Sequence, residues 1–415
     1  MTDIPSVKIK VKDLKPSYTL LQEARDEVDA PVVKVKALTK EVIAIYGKKA
    51  AETFYNPKNF KREGAMPDVV LNTLFGQGGV QTLDGEEHHH RKNIFMDLMT
   101  PERIDVYHDI LDEKMTAAFE AEQGTFDLFS LSRRVLFEAV TEWAGINLDD
   151  LSEKEIDDLS KYQISMISTS FTSPGEHIKG ISDRKKSEKW AQRLIKEARE
   201  NPVPGKEDVA LYAFAEATDL EGELLPVEVA AVELLNIIRP TLALTVWAAL
   251  MGHALFSQDD IYNELKDDFD RLQDSFIQEL RRYYPFFPML PAISLRDVEV
   301  DGYTIPEDSW VVLDIYGTNH DSRHIENPET FKVDRYVENA KDISYEEEYE
   351  MIAQGGGDFR SMHRCAGEWI TLHTLRVLSD HLVNKFDFTI PEQDFEIALD
   401  HFPTYPQDGV LLFKD

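Results

Sequence analysis

Cys365 is the only cysteine in 415 residues. It stands in Gln354-Gly-Gly-Gly-Asp-Phe-Arg-Ser-Met-His-Arg-Cys-Ala-Gly-Glu368, where a glycine-rich loop meets an apolar-periodic segment that predicts a helix from about Ala366 to Lys385. A thiolate there can collect backbone N–H donors from the loop and the field of a helix N-terminus, both of which favour negative charge on sulfur. The chemistry on offer is that of a sulfur held as an anion. The alternative, a small buried hydrophobe, leaves the three glycines and His363-Arg364 without a reason. Arg239-Pro240 is the second chemical feature. Proline in a helix interior costs about 3 kcal/mol, and an unpaired buried arginine costs more. Arg239 therefore either closes an ion pair with an internal carboxylate or grips a carboxylate substrate in a bidentate fork.

Other residues carry weaker signals. His88 and Lys92 are four apart and share a helical face. The run His88-His89-His90 does not read as a metal site, because consecutive helical side chains diverge by about 100°. Glu279-Leu-Arg-Arg282 spaces an acid and a base one turn apart, a pair common on any helix.

These groups need elements to hold them. Residues 1 to about 50 read as an irregular arm followed by a short helix near Ala37 to Lys49, and Ala51 to Phe60 as strand-like up to the turn Asn56-Pro57. Lys61-Arg62 precede an apolar run from Val69 to Phe75, then a flexible loop to Gln81. Asp84-Gly-Glu-Glu-His88 opens a helix with acids suited to its N-terminus. From Pro101 to Glu200 the pattern is helical, interrupted by Ser170 to Gly180. Leu224 to Phe256 is the longest apolar stretch. Its cleaner half, from Pro240, falls short of the roughly 18 residues of a membrane span and predicts a buried central helix. Val298 to Ile315 alternates as a small sheet about Asp301-Gly302, and Phe386 to Phe413 as short closing strands. Neither an internal repeat nor a linker divides the chain, so residues 1–415 are expected to form one domain.

Composition bounds the function. Hydrophobic residues at 42% are enough for a sizeable core, and one cysteine rules out an internal disulfide and suits a reducing cytoplasm. The first twenty residues lack an apolar signal core, so no signal peptide is expected. A net charge of −32 disfavours nucleic acid and anionic membranes as partners. An anionic substrate must then be drawn in by local positive charge.

The segment around Cys365 resembles the haem-ligating loop of the cytochrome P-450 family, in which a thiolate binds the iron of haem b. Most members have a shorter loop with glycine where Ser361 stands, and the longer form resembles the bacterial fatty-acid peroxygenase branch. The resemblance implies the family's mainly α fold with small β-sheets, haem lying between a long central helix and the cysteine loop. It implies cofactor-binding roles for Cys365 (also the metal ligand), His88, Lys92, Arg62 and His363. Arg62 read from sequence alone is equally a solvated charge. The family's Glu-x-x-Arg pair falls on Glu279 and Arg282. Its meander, with Asn327-Pro328, Phe331 and Arg335, precedes the cysteine loop, and Ser170 to Gly180 covers the substrate channel.

Oxygen-activating members carry an acid–alcohol pair where this chain has Arg239-Pro240. The resemblance therefore implies oxidation of fatty acids by hydrogen peroxide without an obligatory redox partner, with Arg239, Pro240 and Gln81 catalytic. The carboxylate paired with Arg239 would serve as general base and acid. Arg239, Gln81, Phe75 and Phe287 would contact substrate, and only Cα and Cβ would reach the reactive centre. Decarboxylating relatives often carry histidine at the position of Gln81, so hydroxylation is favoured over terminal-alkene formation. Gln81 is otherwise an ordinary loop residue. A mainly alkene-forming decarboxylase, a reductase-dependent monooxygenase and a non-catalytic haem protein are the alternatives. The last two leave Arg239-Pro240 unexplained.

Overall fold

The computed structural model describes residues 3–9, 17–37, 40–168, 174–340, 349–406 and 409–415. Its strands are β1 (Ser6–Ile9), β2 (Val33–Ala37), β3 (Lys40–Ile45), β4 (Phe60–Lys61), β5 (Gly124–Asp127), β6 (Met289–Ser294), β7 (Val298–Val300), β8 (Tyr303–Ile305), β9 (Trp310–Asp314) and β10 (Leu411–Lys414). Six of them form one sheet in the order β1-β2-β3-β9-β6-β4, so the N-terminal strands share a sheet with strands from the far end of the chain.

Two sequence-based expectations are corrected here. The arm and helix expected up to Lys49 are the antiparallel pair β2–β3, Val33 opposite Ala44. The alternation of Val33 and Val35, both buried, has the period of a strand. The strand expected over Ala51 to Phe60 is instead mostly helix α2 (Lys48–Tyr55), preceded by α1 (Leu20–Val28). Ala50, Ala51, Phe54 and Tyr55 are buried at helical spacing. The turn at Asn56-Pro57 is present, with the Asn59 N–H donating to the Asn56 carbonyl at 2.9 Å.

The helices that follow are α3 (Asp68–Val70), running into a π-turn (Leu71–Phe75), α4 (Gly85–Leu98), α5 (Pro101–Ala121), α6 (Leu128–Trp143), α7 (Glu153–Ser168), α8 (Pro174–Glu200) and α9 (Ala210–Ala215). Then come α10 (Val227–Phe256), α11 (Asp259–Asp267), α12 (Phe269–Tyr283), α13 (Ile315–Asn319) and α14 (Glu368–Asp380), which ends in a π-turn (His381–Lys385). Strand β5 breaks the helical run expected from Pro101. Of the Ser170 to Gly180 interruption, residues 170–173 lie outside the described residues, and Pro174 to Gly180 are helical. Proline is tolerated there because it sits at the first helical position, where its missing N–H has no partner to lose. The sheet expected near Asp301-Gly302 is the hairpin β7–β8, with β9 passing to the large sheet. The closing strands reduce to β10 on β5 and one bridge, Thr389 to Phe413.

Helix α10 is apolar on nearly every side and packs against α6, α7, α8, α9 and α14. It is long and apolar enough to cross a membrane, contrary to the expectation from sequence, but 89% of its most apolar window is buried inside the protein. Behind the cysteine loop, Arg282 forks onto Glu279 at 2.7 and 2.8 Å, and Arg335 from the meander adds a third donor at 2.8 Å. These partners lock α12 to the meander that leads into the loop.

Candidate active site

A cavity of about 300 Å³ lies between α10 and the cysteine loop, and Arg239, Pro240, Gln81, Phe75, Phe287, His88, Lys92, His363 and Cys365 all line it. The described residues that line it include no aspartate or glutamate.

Cys365 donates its N–H to the Gln354 carbonyl at 2.9 Å, and the Gln354 side-chain amide stands 4.0 Å from the sulfur. Burial raises the thiol above its ordinary range and outweighs the Lys92 charge and the Gly367 N–H, which lower it. A bound metal ion deprotonates a coordinating thiol outright, so the anionic sulfur expected from the sequence is the form that would hold iron.

The buried basic side chains divide into two groups. Arg25, Arg91, Arg184, Arg281, Arg282 and Arg364 each meet a carboxylate, on Asp314, Glu233, Glu188, Glu368, Glu279 and Glu368 respectively. Arg62, Lys92 and Arg239 have no carboxylate within 4 Å among the described residues. Burial lowers Arg62 to about 10, Lys92 to about 8 and Arg239 to about 9. A buried cation without an anion is costly unless a ligand supplies one.

Arg62 is the residue whose sequence reading was most evenly divided. It is 8% exposed, lies over the Phe54 ring at 4.0 Å and sends a long contact of 3.5 Å to the Pro291 carbonyl. Lys92 donates to the Arg364 carbonyl in the cysteine loop. His88 stacks on His363 with ring centroids 4.0 Å apart; burial depresses them to about 2 and about 4, while Asp84, 3.5 Å from His363 Nε2, acts in the opposite direction. His89 and His90 go elsewhere, to the carbonyls of Ser361 and Thr218. The three consecutive rings thus diverge, as helical geometry requires.

On the opposite wall, Nη1 of Arg239 donates to the Leu74 carbonyl, and the guanidinium stands 5.6 Å from the Phe75 ring. Phe75 and Phe287 meet across the cavity at 6.3 Å. Gln81 belongs to a chain that sequence reading missed. Arg91 donates to Glu233 at 2.8 Å, Asn236 Nδ2 donates to Glu233 at 2.8 Å and to Gln81 Oε1 at 3.2 Å. With Oε1 engaged by Asn236, the amide N–H₂ is the donor that Gln81 has left to offer. Asn236 stands three residues before Arg239, hence on the same helical face, and that spacing was the available signal. Thr241, the hydroxyl beside Pro240, donates to the Ile237 carbonyl at 2.9 Å and is committed to its own helix.

Haem b fits these residues. Its iron matches the sulfur on the cavity wall, and the carboxylate arms of the porphyrin match Lys92 with His88 and His363 beside it, whereas Arg62 is not among the residues lining the cavity. The orphaned buried Oε1 of Gln354 borders the same space.

A cytochrome P450 family model matches residues 271–412. Cytochrome P450 71D179 of Thymus vulgaris is 32% identical over 117 residues, and 71D178 of Origanum vulgare is 30% identical over 118. Each match spans 28% of this chain and 23% of the relative, so the chain aligns with less than a quarter of those proteins. Solved structures align throughout. Cytochrome P450EX alpha (CYP152N1), determined with myristic acid, has a TM-score of 0.92 at 35% identity, covering 100% of this chain and 99% of that one. A variant of cytochrome P450SP alpha (CYP152B1) has a TM-score of 0.91 at 34% identity, covering 98% of both chains. A variant of cytochrome P450 OleT with arachidonic acid reaches 0.92 at 30%, covering 99% of this chain and 98% of that one. A relative 35% identical along 99% of its length, together with the model match over the cysteine end, shows that the chain belongs to the cytochrome P450 family.

Proposed function

We propose that this protein oxidises long-chain fatty acids with hydrogen peroxide at Cα or Cβ, giving hydroxy acids, with terminal alkenes as a minor product. One observation carries the reading: the buried guanidinium of Arg239, with no carboxylate partner among the described residues, shares with the cysteine loop a cavity that no described aspartate or glutamate lines. Its similarity to structures solved with myristic and arachidonic acids supports the substrate class.

Haem b, ligated through Cys365, supplies peroxide activation and oxidising power when bound. The chain's own residues do the rest. Arg239 Nη1 is committed to Leu74, leaving Nε and Nη2 as the side-on pair that grips a carboxylate. Phe75 and Phe287 confine the alkyl chain and keep water from the head group. Pro240 removes the N–H that would bond the Asn236 carbonyl, loosening the helix where the guanidinium leaves it. Thr241 is tied back and no acid among the described residues lines the cavity, so the substrate carboxylate held by Arg239 moves the proton needed to cleave peroxide. Gln81 donates from a neutral amide and offers no titratable proton, which favours hydroxylation over decarboxylation. We place the enzyme in the cytoplasm, working without a dedicated redox partner.

The test is turnover of a saturated fatty acid with peroxide and no reductase, products resolved by mass spectrometry. Oxygen at Cα or Cβ is the expected result. A requirement for reductase, or oxidation far from the carboxyl end, overturns the proposal.

A further inference from the structure

The Leu74 carbonyl is shared by two guanidiniums. Arg239 reaches it from α10, and Arg184 reaches it from α8 with Nη1 at 2.7 Å. Arg184 also spans the neighbouring carbonyls, Thr73 at 3.2 Å and Phe75 at 3.3 Å, at the end of the π-turn that forms one cavity wall. Carbonyls at a helix end lack intrahelical donors, and here a single side chain holds three of them. Unlike Arg239, Arg184 carries its own counter-ion, since its Nε donates to Glu188 at 2.7 Å. It is 2% exposed and is not among the residues lining the cavity.

We infer that Arg184 is a positioning residue for the carboxylate clamp, fixing the Leu74 carbonyl on which Arg239 is hung. The inference rests on the reading of Arg239 as the substrate's carboxylate partner. A carbonyl oxygen has two lone pairs. With Arg184 on one, Arg239 is left a single direction of approach, and repulsion between the like charges holds its free edge away from α8 and toward the cavity. The loop sequence makes room for this arrangement. A Cβ on Gly76 would lie 2.0 Å from Arg184 Nη2 and 2.9 Å from Cζ, and Gly76 has φ +84°. Gly78 has nearly the same conformation, φ +73°, but a Cβ there would meet only Val229, at 3.4 Å. The two glycines separate backbone strain from displacement of Arg184.

The experiment measures binding of a saturated fatty acid, and of the fatty alcohol of equal length, to haem-loaded enzyme by calorimetry. The variants are Arg184→Leu, Gly76→Ala, Gly78→Ala, Arg239→Ala and the Arg184→Leu/Arg239→Ala double, and peroxide-driven products are mapped by carbon position. Arg184→Leu and Gly76→Ala are expected to weaken the acid about tenfold while leaving the alcohol within about twofold, and to spread oxidation beyond Cβ. Gly78→Ala leaves both ligands unchanged. In the Arg239→Ala background, Arg184→Leu adds no further loss specific to the acid, because the two residues act through one contact. Equal weakening of acid and alcohol, or an unchanged product distribution, overturns the role of Arg184 while Arg239→Ala still singles out the acid. If Arg239→Ala spares the acid, the reading of the clamp itself has failed.

Discussion

Arg239 and Arg282 are both buried arginines on long helices, and they have opposite surroundings. Arg282 is fully enclosed and forks onto Glu279, which also receives Arg335 and the Lys332 N–H. Arg239 has one backbone carbonyl and no carboxylate among the described residues. A buried charge whose partners come from the chain itself is scaffold, because the energy of the pair is realised on folding. A buried charge left without an anion is a site, because its partner comes from solution. The same division separates Arg91, paired with Glu233 behind the cavity, from Lys92 one residue later, which faces it.

The largest effect expected on this contrast is functional. Arg239→Leu should lower kcat/KM for a fatty acid by about 10³-fold, since both anchoring and proton transfer depend on the clamp. Steady-state kinetics with peroxide measure it. Next is stability. Arg282→Leu should cost about 3–5 kcal/mol by leaving Glu279 buried against fewer donors, whereas Arg239→Leu should be neutral or stabilising by about 1–2 kcal/mol. Leu74 keeps Arg184 as its donor in that variant. Denaturant unfolding of the two haem-loaded proteins compares them, and equal destabilisation would erase the distinction.

A smaller effect is expected with pH. Arg239 is lowered to about 9 by burial first, then by Arg184, with Cys365 and Glu233 acting in the opposite direction. Its charged form binds the carboxylate, so log kcat/KM should hold below that pH and fall as pH rises through it. The same profile for a fatty alcohol substrate should lack the break. The smallest effect concerns products. Gln81→His replaces an amide that cannot titrate with an imidazole that can, and should raise the alkene fraction measured by gas chromatography.

The cysteine loop was legible because its chemistry is local. Gly355, Gly356, Gly357, His363 and Cys365 lie within a dozen residues, and helix α14 follows at once. The clamp was half legible. Arg239-Pro240 violates two rules of buried helices in adjacent positions, which marks it, but Leu74 and Arg184 are distant in sequence and carry no such violation. Glu233 and Asn236 stand in an apolar helix, and only tertiary packing brings Arg91 and Gln81 against them. Strand β2 carried its own signal, the period-2 alternation Val33-Lys34-Val35-Lys36, which the helix and arm reading passed over. The β9 partner of β3 lies more than 260 residues away, and no local pattern announces that pairing.

The most direct test of the clamp is anaerobic, reductase-free turnover of a saturated fatty acid with added peroxide by wild type and Arg239→Leu, both carrying thiolate-ligated haem. The expected result is Cα- and Cβ-oxidised product from wild type and almost none from the variant. Equal turnover by the two proteins would contradict it and make Arg239 a structural residue.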